Sequence, residues 1–175
     1  MKDSLIVNEI FSSIDGEGLR TGELATFIRL AGCNLRCRYC DTAYSLNTNQ
    51  GKRISIDKII NKLKSLKNKN ITLTGGEPLI QKESFLLIDK LIENGFNVNI
   101  ETNGAVDITP LLDKNVLITL DYKTISSEMN NRMLLDNLEK LRETDVLKIV
   151  CNRNDFKDIK KLLKKKGNRK IISYN

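Results

Sequence analysis

The stretch ATFIRLAGCNLRCRYCDT, residues 25–42, decides the reading of this chain. An apolar run, Ala25 to Ala31, reads as a strand that delivers a loop carrying Cys33, Cys37 and Cys40 in the spacing CxxxCxxC. Three thiolates at that spacing reach three corners of one iron–sulfur cube and leave its fourth iron without a protein ligand. An open iron is a place for chemistry, as an open coordination position is in catalytic metal sites. The competing reading is a structural zinc site. Zinc wants four ligands, usually Cys and His. The sequence has no His, and its one other cysteine, Cys151, lies far along the chain. Cys151 follows the apolar run Val146 to Val150 and reads as a buried free thiol.

Outward from that loop, apolar runs alternate with amphipathic stretches. Leu5 to Phe11 reads as a first strand, followed by a turn at Asp15-Gly16-Glu17-Gly18. Ile56, Ile59, Ile60, Leu63 and Leu66 recur at helical spacing behind Ser55, a suitable N-cap. Further strands are expected at Asn70–Leu73, Asn97–Glu101, Val116–Leu120, Val146–Val150 and Arg169–Ile172. Helices are expected at Lys82–Glu93, closed by Asn94-Gly95, and at Asn130–Arg142 and Asp155–Lys166. A serial β–α pattern implies a mostly parallel sheet wrapped by helices. About six repeating strands are too few for an eight-stranded barrel. The expected architecture is α/β, a single domain forming an incomplete TIM-like barrel with outer helices. Its site belongs at the carboxyl ends of the strands.

Composition sets the frame. A chain of 175 residues is large enough for a substantial core. Clustered cysteines without a signal peptide or a long apolar window point to reduced thiols in a cytosolic enzyme with no membrane anchor. Formal net charge is +7, much of it in the lysine-rich segments Lys58–Lys69 and Lys157–Lys170. Such runs are usually solvated faces. With few aromatic residues and no RNA-binding motif, direct nucleic-acid binding is not expected. A positive field favours an anionic small substrate or an acidic redox partner.

Other motifs fall just after strands. In Thr74-Gly75-Gly76-Glu77-Pro78, two glycines let backbone approach a ligand, and Glu77 with nearby backbone groups suits an amino-acid ammonium. Arg36 and Arg38 suit the negative charge of a thiolate-bound cluster, and the Tyr39 ring can lie against a planar ligand. Arg29, on the strand entering the cysteine loop, can fork onto a carboxylate. Glu17, on a glycine-flanked turn, can bond the donor-rich edge of a heterocycle.

CxxxCxxC with an aromatic residue before its last Cys, followed by a strand-terminal GGEP, resembles the radical S-adenosylmethionine (SAM) superfamily. That resemblance implies a radical SAM core with a [4Fe–4S] cluster on Cys33, Cys37 and Cys40. It places SAM against Tyr39, Gly75, Gly76 and Glu77. Asp41 would be a loop or second-layer group, and Thr102, Asn103, Asp121 and Lys123 would supply further SAM contacts. A narrower resemblance runs through nearly the whole chain. The strings EIFSSIDGEGLRTG, ATFIRLAGCNLRCRYCDTAYS, LTGGEPLIQ, IETNGA and LDYKT are similar to 7-carboxy-7-deazaguanine synthase. This family acts in the queuosine and deazapurine pathways, contracting 6-carboxy-5,6,7,8-tetrahydropterin to 7-carboxy-7-deazaguanine with loss of ammonia. The resemblance implies a pterin site of Ile14, Asp15, Gly16, Glu17, Arg29 and Thr74, and Mg2+ at Thr42. It also implies a homodimer and a flavodoxin or ferredoxin reductant.

Two departures stand out. The family more often has Gln where Asp15 stands, and its members usually continue past a strand like Ile171-Ile172-Ser173, whereas the sequence ends at Asn175, as a truncated chain would. Two other readings stay open: a radical SAM enzyme acting on protein, such as a glycyl-radical activase, and a non-catalytic metal-binding module using its basic faces on RNA.

Overall fold

The computed structural model describes residues 3–166 and 171–174. One sheet holds eight strands: β1 (Ser4–Ile14), β2 (Leu24–Leu30), β3 (Lys52–Ser55), β4 (Asn70–Gly75), β5 (Asn97–Thr102), β6 (Val116–Lys123), β7 (Val146–Val150) and β8 (Ile171–Tyr174). Their order is β3-β1-β2-β4-β5-β6-β7-β8. From β2 to β8 every neighbouring pair is parallel, while β1 runs antiparallel to both β2 and β3. Strands β3 and β8 are opposite edges, so the architecture is a partial barrel of six parallel strands with a two-strand antiparallel extension.

Residue alternation along these strands builds two unlike faces. Ile28 and Leu30, Ile71 and Leu73, Val98 and Ile100, Ile118 and Leu120, and Leu147 and Ile149 all point into the apolar core. Helices α1 (Ile56–Ser65) and α2 (Glu83–Glu93) cover that face with Ile56, Ile59, Ile60, Leu63, Leu87, Ile88 and Leu91. Burying each such side chain contributes about 1.5–3 kcal/mol. The intervening positions are polar. Arg29 stands beside Thr74, Glu101 beside Thr119, and Asp121 beside Lys148 across the ladders.

Local chemistry sets the element ends. The Ser55 hydroxyl accepts from the Lys58 amide at 3.4 Å and starts α1. Helix α2 stops at Asn94, with Gly95 left-handed at φ 72°. Several elements differ from expectation. The edge strand β3 escaped notice because KRIS is short and mostly polar. The segment read as a helix over Asn130–Arg142 contains only a short turn and the five-residue α3 (Asp136–Lys140). Tertiary bonds override its helical pattern: the Leu134 amide donates to the Gly104 carbonyl, and the buried Asn137 amide donates to the carbonyls of Gly104 and Val106. Strand β6 runs on through Asp121 and Lys123, which pair with Lys148 and Val150 instead of following the strand. Strand β8 covers Ile171–Tyr174, and the expected start at Arg169 lies outside the described residues. Helix α4 (Phe156–Lys166) closes the helical set among the described residues.

The glycines after β4 need their missing side chains. A Cβ on Gly75 would lie 2.3 Å from the Leu30 carbonyl oxygen, and one on Gly76 would lie 2.3 Å from that of Gly32. The Gly76 amide donates to Leu30 O at 3.1 Å and the Glu77 amide to Gly32 O at 2.8 Å. The sequence reading has this glycine pair admitting a ligand; the close approach seen is to the backbone that leads into the cysteine loop. Gly76→Ala should therefore force two backbones apart, costing about 2–3 kcal/mol. A thermal melt should show Tm lower by about 4–12 °C. An unchanged Tm would mean the loops do not need this contact.

Candidate active site

Where the carboxyl ends of β2, β4, β5, β6 and β7 meet, a cleft of about 390 Å³ opens. Cys33, Cys37 and Cys40 line it together, with Tyr39, Asp41 and Thr42 between and after them. The loop is tied in place by backbone bonds: Gly32 N to Ser45 O, Cys33 N to Leu46 O and Arg38 N to Ser127 O. The Cys33 sulfur accepts from the Leu35 amide at 3.4 Å and faces the Asn103 side-chain amide at 3.8 Å. Burial pushes the Cys33 and Cys37 thiols up, against the help of Leu35 at one and Lys123 at the other. Metal capture by these thiols must release protons. Among the described residues no three His, Cys, Asp or Glu side chains converge on a single ion. The donor set is unlike the closed four-ligand cage of structural zinc. It suits a cluster, which spreads its thiolates over separate irons.

Glu77 organises the loops beneath this end. It is fully buried and does not line the cleft. Its oxygens accept from the Leu79 amide at 3.0 Å, the Thr102 hydroxyl at 3.0 Å and the Asn103 amide at 2.6 Å. Asn103 then donates to Asn34 Oδ1 at 2.9 Å. One carboxylate thus clamps the loops after β4 and β5 to the cysteine loop. Desolvation raises its pKa to about 7, while the donors from Asn103, Leu79 and Thr102 pull the other way.

Across the cleft, Lys123 bonds Asp121 Oδ2 at 2.9 Å and lies 5.8 Å above the Tyr39 ring. Asp121 Oδ1 is buried and has no hydrogen-bond partner among the described residues, which suits a polar ligand. At the far end, Asp15, Gly16, Glu17, Arg29, Thr74, Glu101, Thr119 and Lys148 form a polar wall. Thr72 donates to Asp15 Oδ2 at 3.0 Å, and Thr74 donates to Glu101 Oε2 at 2.7 Å. Burial raises Glu101, the Thr74 bond and Lys148 lower it, and Glu17 and Asp15 raise it again. Arg29 spends its Nε on Glu9 at 2.8 Å and stacks near Phe11 and Tyr44. No described residue accepts from its two Nη atoms.

Comparisons with known proteins bear on this cleft. The radical SAM superfamily model matches residues 27–173. A 7-carboxy-7-deazaguanine synthase from Clostridium acetobutylicum is 42% identical over 161 residues, covering 90% of this chain and 72% of its own length. The synthase from Aquifex aeolicus is 33% identical over 178 residues, covering 96% of this chain and 81% of its own. Among solved structures, QueE from Escherichia coli matches with a TM-score of 0.80 at 24% identity, over 97% of this chain and 82% of that one. This last likeness speaks to the fold. The chain belongs to the 7-carboxy-7-deazaguanine synthase family, within the radical SAM superfamily.

In this family member, the residues expected at ligands divide cleanly. Tyr39, Asp41, Thr42, Gly75, Gly76, Thr102, Asn103, Asp121 and Lys123 line the cleft with the three cysteines, as do Asp15, Gly16, Glu17, Arg29 and Thr74. Ile14 does not: it is 66% exposed, at the end of β1. Glu77, expected at the SAM ammonium, instead spends both oxygens on the chain's own donors. Lys123, expected to hold an anionic group, already pairs with Asp121. The sequence reading assigned no ligand role to Phe27, Leu35, Leu46, Thr119, Lys148 and Val150, and left Glu101 unselected within its motif. A signal existed for Lys148, a lone charge inside the apolar run VLKIV.

The Glu77 clamp has a pH signature. Because its folded value of about 7 exceeds the ordinary 4.5, the native state binds more protons between those limits. Its contribution is greatest below pH 4.5 and declines by about 3 kcal/mol as pH rises to 7. In Glu77→Gln, urea midpoints between pH 5 and 7.5 should fall less steeply than in wild type. Parallel pH profiles would refute the titration of this carboxyl.

Proposed function

We propose that this chain is a radical SAM enzyme that converts 6-carboxy-5,6,7,8-tetrahydropterin to 7-carboxy-7-deazaguanine, with loss of ammonia, for queuosine and related deazapurines. The observation that carries the reading is the sharing of one cleft by the cysteine triad and a wall of hydrogen-bonding side chains. Cys33, Cys37 and Cys40 would hold a [4Fe–4S] cluster, which together with SAM would supply the one-electron radical chemistry that the reaction requires.

The chain's own groups bind and orient. Tyr39 offers a ring face to the adenine side, and Lys123 fixes that ring and the Asp121 carboxylate. Asp121 Oδ1 accepts from a polar group of the cofactor, with Thr102, Asn103 and the Gly75-Gly76 backbone along the methionine side. The Thr42 hydroxyl, 3.9 Å from the Cys40 sulfur, is a hard oxygen suited to Mg2+ beside substrate. Arg29 turns its Nη atoms to the pterin carboxylate while Glu9 holds Nε, which fixes the plane of the fork. Asp15, Gly16 and Glu17 meet the donor-rich pyrimidine edge, with Ile14 setting the course of that turn. Thr74 and its partner Glu101 complete the wall.

The working form is a single domain, paired as a homodimer, cytoplasmic, and reduced by flavodoxin or ferredoxin. No helix among the described residues is long and apolar enough to cross a membrane.

The test is anaerobic. Protein reconstituted with iron and sulfide, then given SAM, reductant, Mg2+ and the carboxytetrahydropterin, should yield 5′-deoxyadenosine and 7-carboxy-7-deazaguanine. Cys37→Ala should lose cluster and both products. Arg29→Ala should keep its iron and raise KM roughly 10- to 100-fold, the value of a charged hydrogen bond. Deoxyadenosine without deazaguanine would sink the assigned substrate; a normal KM in Arg29→Ala would sink the assigned fork.

A further inference from the structure

Lys148 is the one polar residue in β7 and is mostly buried, with 15% of its side chain exposed. Its ammonium bonds the Glu17 carboxylate, 131 positions away in sequence, and lies 3.6 Å from Asp121 Oδ2. Burial works against the charge on Lys148, but Asp121, Glu17 and Glu101 more than reverse that and keep it protonated. It stands among three carboxylates of the cleft wall: Glu17, Glu101 and Asp121. Of the other cations of the wall, Lys123 pairs with Asp121, and Arg29 gives its Nε to Glu9 and keeps its Nη atoms for a ligand. No other described residue is bonded to the Glu17 carboxylate.

This arrangement presents a substrate anion with a problem. A carboxylate-rich wall repels it unless a fixed cation offsets the field at close range. A turn carboxylate on a glycine-flanked segment also needs an anchor if it is to meet the substrate in one orientation. Lys148 answers both needs. We propose that Lys148 is a positioning residue for the substrate end of the cleft: it fixes the Glu17 carboxylate against β7 and supplies the counter-charge that admits an anionic pterin. This rests on the pterin reading of the same cleft.

The test uses reconstituted holoenzyme. Lys148→Met should raise KM for the carboxytetrahydropterin by roughly 10-fold or more, the effect of losing a charge-assisted hydrogen bond. Iron content should stay at the wild-type level, because the cysteine loop is tied by Ser45, Leu46 and Ser127 and not by β7. Lys148→Arg, which keeps the charge, should recover KM to within about 5-fold of wild type. A Glu17→Gln/Lys148→Met double variant should be no worse than the poorer single variant, since one residue acts through the other. A Lys148→Met KM within about 3-fold of wild type would overturn the proposal. So would penalties that multiply in the double variant, or a Lys148→Arg enzyme no better than Lys148→Met. Should Lys148→Met not fold, the Lys148→Arg KM decides alone. Failure of wild type to bind or turn over the pterin would overturn the substrate reading, and this inference with it.

Discussion

The constraint on which this structure depends is the two-faced character of its parallel strands. Parallel sheets covered on both sides usually read as continuous apolar runs. Here ITLTG, NVNIET, VLITLDYK and VLKIV alternate, so each strand puts Ile, Leu or Val under the helices and Thr, Asn, Asp, Glu or Lys inside. The hydrophobic face supplies the driving force for folding. The polar face gains stability only if its groups find partners, because a buried polar atom left alone costs about 1–3 kcal/mol. The inner wall accordingly pairs within itself: Thr72 with Asp15, Thr74 with Glu101, Thr119 with Asn99, Lys148 with Glu17. A one-residue slip of any strand would send its charged residues into the core and its aliphatic residues into the cleft. Register and site are thus fixed by the same packing.

Much of this was legible in the sequence. Strand β7 was read residue for residue, and Ser55 caps α1 as its position before an apolar repeat implies. The cysteine spacing carried the chemistry, and motifs such as ETNG lay near strand ends, where parallel folds build sites. What escaped is what depends on partners remote in sequence. The pattern over Asn130–Arg142 is helical, but Gly104 and Val106 capture its Asn137 and the backbone near it. Glu77 reads as a carboxylate facing an amino-acid ammonium; only the arrival of Thr102 and Asn103 makes it a buried clamp. Lys148 offered a local oddity, a charge in an apolar run, but its meaning lies in Glu17 at the other end of the chain.

Glu77 and Lys148 also show two ways of carrying buried charge. Among the described residues Glu77 forms no ion pair; it is surrounded by amide and hydroxyl donors, and desolvation still lifts its pKa to about 7. The clamp therefore holds in either protonation state, with the Thr102 hydroxyl free to reverse its role when the carboxyl is protonated. Lys148 is the opposite case, a cation whose carboxylate neighbours outweigh its burial. Because Glu17, Asp121 and Glu101 all act on it, loss of one carboxylate still leaves Lys148 compensated, whereas loss of Lys148 strips Glu17 of its described partner.

The cleft is consequently polarised along its length. At the cysteine end, Arg36 donates to the Cys33 carbonyl and Lys123, paired with Asp121, lies above Tyr39, so cations stand near the place where a thiolate-bound cluster would bring negative charge. At the far end carboxylates dominate and Lys148 is the cation set among them. Such a field orients a ligand bearing both an anionic group and a donor-rich edge. In the proposed reading the anion would meet Arg29 and Lys148, and the N–H edge would meet Asp15 and Glu17. Neither end alone discriminates strongly, because each offers groups that many ligands satisfy. In the proposed reading specificity would rest on their separation, which is set by the ladder pairings of β2 through β7 and not by the loops that carry the motifs.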